Sequence, residues 1–396
     1  MQLVPRYSID LTLRDIGDAL HSNELQSQNL EDCVGEMLGF KRHRLTGTWD
    51  GRTALRLILR AFGVKPGEFV VLPRWTCIQV HRAIVSEGAV PAFVDTPPDQ
   101  FFPRPEDYAR AVSQVKARFV VAISYWGYPV DLLQLRRLLP LGAVIIQDCA
   151  LSLGSSFNEK PDGAEADAAF FSFGTGKPLC VGGGGLAMFP KDGVPKRLET
   201  IHLNDPLPSH CRGRLLKSFA KATIHRNFAL FKLLKPKSRH TNPIRRRCEP
   251  IPGSLAKAPR WLLPLLKRKH AGFVNAIENR KRAAQVLSTA SNRSPIRVLN
   301  EVEGIRWNYW HFVMIHSDEK SIEPTVTAAG KAGFEFLRPY LEVPDFDSAP
   351  DGQPDAPRWL LGPSLDLLTE PLIRRLAKVI APSTNGYTLV PGHASA

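Results

Sequence analysis

Ala168 to Met188 reads AAFFSFGTGKPLCVGGGGLAM, and it sets Lys177 five residues after Ser172 at the end of an apolar run. The length and aromatic content of residues 168–173 predict a buried strand, and Gly174, Thr175 and Gly176 then force a turn. A lysine that leaves a hydrophobic strand through a glycine turn is expected in a partly dry pocket. Desolvation there disfavours the ammonium, and the neutral amine is the form that attacks a carbonyl carbon. A lysine snorkelling to the surface at a strand end fits the same local pattern, so the choice needs the rest of the chain.

Upstream, Ala143-Val144-Ile145-Ile146-Gln147 is a short apolar run that ends in Asp148. Such runs are typical of strands buried on both faces of a parallel sheet. Ligands of open α/β sheets sit at the carboxyl ends of the strands, which is where Asp148 falls. A buried carboxylate needs a cationic partner or takes up a proton. A pyridinium nitrogen is such a partner, and a lysine with an Asp on the ring nitrogen is the usual protein contribution to pyridoxal phosphate chemistry. A cap on the following helix is the structural alternative for Asp148.

Asp50-Gly51-Arg52-Thr53-Ala54-Leu55 precedes Arg56 to Phe62, with apolar residues at 55, 58, 59 and 62. That spacing predicts a helix, and a glycine turn opening a helix presents free amides to an anion. Ser172 carries a hydroxyl suited to the same phosphate.

With these pieces in order, the chain resembles the DegT/DnrJ/EryC1/StrS family of pyridoxal phosphate dependent sugar aminotransferases, of aspartate aminotransferase fold type I. The resemblance is close from about Gly51 to about Phe189 and looser to the C-terminus. The family's Ser-Gly-Thr-x-Ala-Leu is matched by residues 50–55, V-x-x-P-x-x-T by Val70 to Thr76, and G-A-x-P-x-F-V-D by Gly88 to Asp95. Its Y-G-x-P-x-D is matched by Tyr125 to Asp131 with one residue added, E-D-A-A-x-x-x-G by Gln147 to Gly154, and F-S-F-x-x-x-K by Phe171 to Lys177.

The chain departs from that pattern at several points. Leu151 stands where the family usually has a polar group near the cofactor's phenolic oxygen. Cys77 holds the position of the ring that stacks on the pyridine, with Trp75 two residues earlier. Arg52 replaces a common Thr in the phosphate turn and offers a charge-assisted bond. Gly176 replaces the Thr before the lysine. The G-Y-N-x-R-M segment that reaches the neighbouring subunit's phosphate has no match at residues 244–258, where Arg245, Arg246 and Arg247 are the candidate substitutes.

The chain of 396 residues, 43% apolar and 23% charged, is long enough for a large and a smaller domain and is ordinary for a soluble enzyme. Its six cysteines show no CxxC spacing and its eleven histidines no HExxH, so neither a disulfide framework nor a zinc site is suggested. No secretory leader and no 18-residue apolar run is found, and a cytoplasmic protein is expected. The charge is uneven. Residues 211–280 hold 18 Lys and Arg against Glu249 and Glu278, while the whole chain is +14. Within them, Leu215 to Phe231 interleaves apolar and basic residues at helical spacing. A solvated face over an apolar core is the favoured reading, attraction of an acidic substrate comes next, and a membrane surface is open but not favoured. No nucleic-acid motif accompanies the charge.

The expected architecture is α/β, with a large domain (residues 1–249) built on a mostly parallel sheet flanked by helices and a smaller C-terminal α+β domain (250–396). Helices are expected at 52–63, 77–87, 105–115 and 131–138, and strands at 68–72, 90–94, 118–123, 143–147, 167–173 and 185–189. Strand 309–315 and helix 322–332 are expected in the smaller domain, and loop from Asp345 to Pro357. The resemblance implies a homodimer and pyridoxal 5'-phosphate as cofactor. It implies Lys177 and Asp148 as catalytic residues, with Gly51, Arg52, Thr53, Cys77 and Ser172 completing the cofactor site. The amino donor would be an amino acid, glutamate by resemblance, and the acceptor a keto sugar on a nucleotide. A sugar dehydratase of the same family lacks the lysine that Lys177 supplies. A non-catalytic cofactor-binding or membrane-associated accessory protein is the rival from another class.

Overall fold

The computed structural model describes residues 4–5, 7–21, 35–36, 38–40, 43–208, 211–234, 244–247, 255–259, 261–291, 296–339, 342–345 and 358–380. Its central sheet has seven strands, β1 (His43–Thr48), β2 (Phe69–Pro73), β3 (Val90–Val94), β4 (Phe119–Ile123), β5 (Val144–Asp148), β6 (Ala168–Ser172) and β7 (Gly185–Pro190), in the order β1-β7-β6-β5-β4-β2-β3. The pairings from β6 through β5, β4, β2 and β3 are parallel. β7 runs antiparallel to both β6 and β1. The sheet is therefore mostly parallel, as expected, with an antiparallel edge.

Alternation sends successive side chains to opposite faces. Val70 and Leu72 pack in one core with Leu55 and Ile58, while Val71 packs in another with Tyr108 and Val112. Both faces are covered by helices, which is why these strands read as continuous apolar runs. The covering helices include α1 (Leu13–His21), α2 (Gly51–Ala61), α3 (Ile78–Val85), α4 (Pro105–Val115) and α5 (Leu132–Leu138). Each of the four expected between residues 52 and 138 is present, with ends that shift by up to two residues.

Beyond residue 200 the chain forms α6 (Cys211–Arg226), α7 (Phe228–Leu234) and the long α8 (Leu262–Ser291). A three-stranded antiparallel sheet follows, β8 (Ile296–Val298), β9 (Val313–His316) and β10 (Trp359–Leu361), with α9 (Ile322–Lys331) and α10 (Glu370–Ile380). Val4 bridges to Phe334, and Ile244–Arg247 pairs in parallel with Glu342–Asp345. In α6, Leu215, Ser218, Ala222 and His225 are buried, while Leu216, Lys217, Thr223 and Arg226 are exposed. The basic helix thus has a solvated face over an apolar one. The loop expected from Asp345 to Pro357 lies, apart from Asp345 itself, outside the described residues.

The strand expected at 309–315 is present only from Val313. Tyr309 has φ +51°, which no strand accommodates. The aromatic run before the strand serves as a clamp: Trp307 Nε1 donates to the Trp126 carbonyl at 3.0 Å, and Asn308 Nδ2 donates to the Leu151 and Leu153 carbonyls at 2.7 and 2.9 Å.

The residue added to the Tyr125–Asp131 segment is accommodated by a left-handed turn, with Trp126 at φ +54° and Gly127 at φ +89°. A Cβ on Gly127 would overlap Asn308 Oδ1 and the Leu151 carbonyl oxygen. Gly127→Ala is therefore expected to destabilise the fold by roughly 1–3 kcal/mol, read as a lower urea midpoint; an unchanged midpoint would show that the clamp gives way at no cost.

Candidate active site

The site begins at the carboxyl end of β5, where every residue from Val144 to Asp148 is buried. Asp148 accepts the Ala150 N–H at 2.9 Å. Burial pushes its carboxyl above the usual range, and the nearby Lys177 ammonium and the Ala150 N–H offset this only in part. A carboxylate in that position calls for a cation beside it. The alternative of a helix cap is not realised, because residues 150–154 form turns and no helix follows Asp148.

Lys177 lies in the turn after β6, with its own N–H bonded to the Gly174 carbonyl at 3.2 Å. It is half-buried, so the dry pocket expected for it is only partly formed. Gly176 has φ +82°, a conformation that accounts for a glycine where the family has Thr. Trp310 Nε1 donates to the Gly176 carbonyl at 3.1 Å, so the aromatic clamp also fixes the residue before the lysine.

Asp50 is the N-cap of α2 and accepts the Thr53 N–H and hydroxyl, each at 3.0 Å. Its other oxygen takes Arg52 Nε at 2.9 Å as well as Arg52 Nη2, while Arg52 Nη1 reaches Gln79 Oε1 at 3.1 Å. Burial raises the Asp50 carboxyl, but Arg52, the Thr53 N–H and Arg214 outweigh it and hold the group below its ordinary value. Gly51 rests on Ser172: a Cβ there would meet Ser172 Cβ at 3.0 Å and Oγ at 3.4 Å. The phosphate turn and the serine that the sequence paired are therefore neighbours.

Cys77 is exposed and stands at the N-cap of α3 without a side-chain cap bond. Trp75 is removed from the surface, 1% exposed, with its carbonyl accepting the Tyr125 hydroxyl at 2.8 Å. It belongs to the core and is no stacking partner. Leu151 is half-buried, with its carbonyl on Asn308, so no polar side chain replaces the missing contact there. The side chains of Arg245, Arg246 and Arg247 lie outside the described structure.

A cleft of about 630 Å³ adjoins this site, with Lys177, Lys269, Phe273, Arg280, Trp310 and Asp366 among its walls. Arg280 is 1% exposed; it donates to Asp366 Oδ1 and to the Asn308 carbonyl, both at 2.8 Å, and stacks over Trp310. Arg280, Asn308, Gln79 and Arg214 were not legible as site residues, because their partners are far away in the chain. No described helix is long and apolar enough to cross a membrane, and no described cluster of His, Cys, Asp or Glu could hold a metal.

Behind Asp148 lies a buried polar network. Gln147 Nε2 donates to Ser124 Oγ at 2.9 Å and to Asp162 Oδ1 at 2.7 Å, tying down the strand end that carries Asp148. Burial pushes the Asp162 carboxyl up to about 6, and the Gln147 amide bond offsets this only in part.

Taken together, the site offers a buried carboxylate for a cationic ring nitrogen, a lysine beside it, and a helix start with arginines and a serine for a phosphate. These features fit pyridoxal phosphate.

Residues 15–205 match the profile described as the DegT/DnrJ/EryC1/StrS aminotransferase family. GDP-perosamine synthase of Vibrio cholerae is 31% identical over 144 residues, 36% of this chain and 39% of that protein. The dTDP-3-amino-3,4,6-trideoxy-alpha-D-glucose transaminase of Streptomyces venezuelae is 31% identical over 157 residues, 39% of this chain and 41% of that protein. The chain thus spans about two fifths of the length of these curated relatives. Among solved structures, Spr1654 of Streptococcus pneumoniae in its PLP form superposes with a TM-score of 0.71 at 16% identity, covering 96% of this chain and 98% of that one. At this identity the likeness establishes the fold.

The Asp162 carboxyl is raised in the folded chain from an ordinary value near 3.8 to about 6. Its contribution is fully present below about pH 4 and is lost as pH rises through 6. Relative to wild type, Asp162→Asn should therefore gain on the order of 3 kcal/mol between pH 4 and pH 7 and stay level above that. Urea titrations of both proteins across this range test it, and parallel curves would refute the buried-acid reading.

Proposed function

From the match of residues 15–205 to the DegT/DnrJ/EryC1/StrS aminotransferase family, we propose that the chain is an aminotransferase of that family and moves an amino group from an amino acid to a keto sugar with pyridoxal 5'-phosphate. The observation that carries this reading is a fully buried carboxylate, Asp148, at the end of β5 with the positive charge of Lys177 near it. Donor and acceptor are proposed as glutamate and a nucleotide-linked sugar. The acceptor is supported by the nucleotide sugars in the names of the two relatives. Family resemblance further supports a homodimer and, with no spanning helix described, the cytoplasm as its place.

When bound, the cofactor supplies a carbonyl that exchanges the amino group and a ring that draws off electron density. In the proposed assignment Asp148 keeps the proton on the ring nitrogen, which sustains that withdrawal. Lys177 Nζ takes the proton from the donor's α-carbon and delivers it again as an acid. Gly51, Arg52, Thr53 and Ser172 anchor the phosphate and keep the ring from pivoting, with Cys77 at the rim of the site. The cleft beside Lys177 receives the sugar, and its buried Arg280 fixes the wall formed by Trp310. Donor and acceptor use the same site in turn, so initial rates should show a ping-pong pattern.

Incubated with pyridoxal phosphate, glutamate and a panel of keto nucleotide sugars, the protein should produce 2-oxoglutarate. Lys177→Ala should abolish this, and Asp148→Asn should lower kcat/KM roughly a hundredfold or more. Turnover that survives in Lys177→Ala would overturn the assignment.

A further inference from the structure

Helix α6 belongs to the basic segment whose role the sequence leaves open, and its placement gives one of its arginines a task. Arg214 Nη1 lies 3.4 Å from Asp50 Oδ2, the oxygen that also takes Arg52. Two guanidiniums thus share one carboxylate at the start of α2, and they offer far more N–H donors than that carboxylate can accept. The side chains of Arg52 and Arg214 are 32% and 31% exposed, while Asp50 beneath them is 8% exposed. The charged groups therefore leave an uncompensated positive charge at the mouth of the phosphate turn, beside Ser172.

The arginine is held there by packing. Its guanidinium lies over the Trp49 ring at 4.7 Å. Leu215, the next residue, fills the space over Gly182, where a Cβ would overlap it. One turn later Ser218 Oγ donates to the Arg214 carbonyl at 2.9 Å, which leaves Thr175 Oγ1 to donate to Ser218. At the far end of the helix the His225 Nδ1 nitrogen lies 3.0 Å from the Tyr7 carbonyl oxygen. Thr175 is two residues from Lys177, so α6 is tied to the lysine turn and to the phosphate turn together.

We infer that Arg214 is a second guanidinium for the cofactor phosphate, so that Arg52 and Arg214 of one chain form a two-arginine clamp with Asp50 as their resting counter-ion. The inference rests on the pyridoxal phosphate reading given above. It needs no bond to form or break: a phosphate dianion entering beside Asp50 takes the free N–H groups of both guanidiniums, and Asp50 keeps its bonds to Thr53.

The test compares pyridoxal phosphate with pyridoxal, which lacks the phosphate, each titrated into the full-length protein and followed by absorbance. Arg214→Gln should weaken pyridoxal phosphate about tenfold or more, the scale of a lost charge-assisted bond, and change pyridoxal binding by less than about twofold. Inorganic phosphate should compete with pyridoxal phosphate in wild type and do so less well in the variant. Arg214→Lys, which keeps the charge without the fork, should fall between the two. Equal weakening of both ligands would mean that Arg214 only supports α6, and unchanged binding of both would mean that it stays on Asp50; either result overturns the inference. A wild type that takes up neither ligand would overturn the cofactor reading itself, and the clamp with it.

Discussion

Gly185 has no room for a side chain: a Cβ there would overlap the Asp50 carbonyl group and the Gly51 nitrogen. The first residue of β7 therefore meets the start of α2 backbone to backbone, and the site depends on that close approach. It sets the phosphate turn against β6, whose Ser172 pairs with Gly185 and lies under Gly51. From Ser172 the chain needs only the glycine turn to bring Lys177 back toward Asp148. One glycine contact thus fixes the spacing between the phosphate end of the site and its lysine end.

Charge is distributed along the same line. At one end a buried carboxylate, Asp148, is raised by desolvation and only partly relieved by Lys177. At the other, Asp50 is held down by two arginines that it cannot fully satisfy. In the proposed assignment the unmet negative charge lies where a ring nitrogen would sit and the unmet positive charge where a phosphate would sit. The phosphate end is preorganised, because Arg52, Asp50 and Arg214 are held by hydrogen bonds and packing before any ligand arrives.

The continuous apolar runs of the central sheet were legible because burial on both faces demands them, and β3 begins and ends where its sequence predicts. The edge strand His43–Thr48 was not, since its polar residues carry no such run and it is defined by its partner β7. The aromatic stretch before Val313 has the composition of a strand, yet Tyr309 breaks it and the side chains of Trp307, Asn308 and Trp310 bond across to carbonyls of the Trp126 turn, the loop after Asp148 and the lysine turn in that order. Lys177, Asp148, Ser172 and the residues of the phosphate turn could be named because strand ends and glycine turns mark them locally. Trp75 could not be placed from its spacing to Cys77, because whether an indole faces a ligand or the core is decided by tertiary packing. Arg214 stands 164 residues from Asp50 with no local signal of that contact.

The proposed function requires Lys177 Nζ to be the amine that meets the cofactor's carbonyl, and borohydride reduction of the protein in the presence of pyridoxal phosphate tests this most directly. Peptide mass mapping of the reduced protein should place a single stoichiometric pyridoxyl adduct on Lys177. An adduct on another lysine, or none under saturating cofactor, would contradict the account.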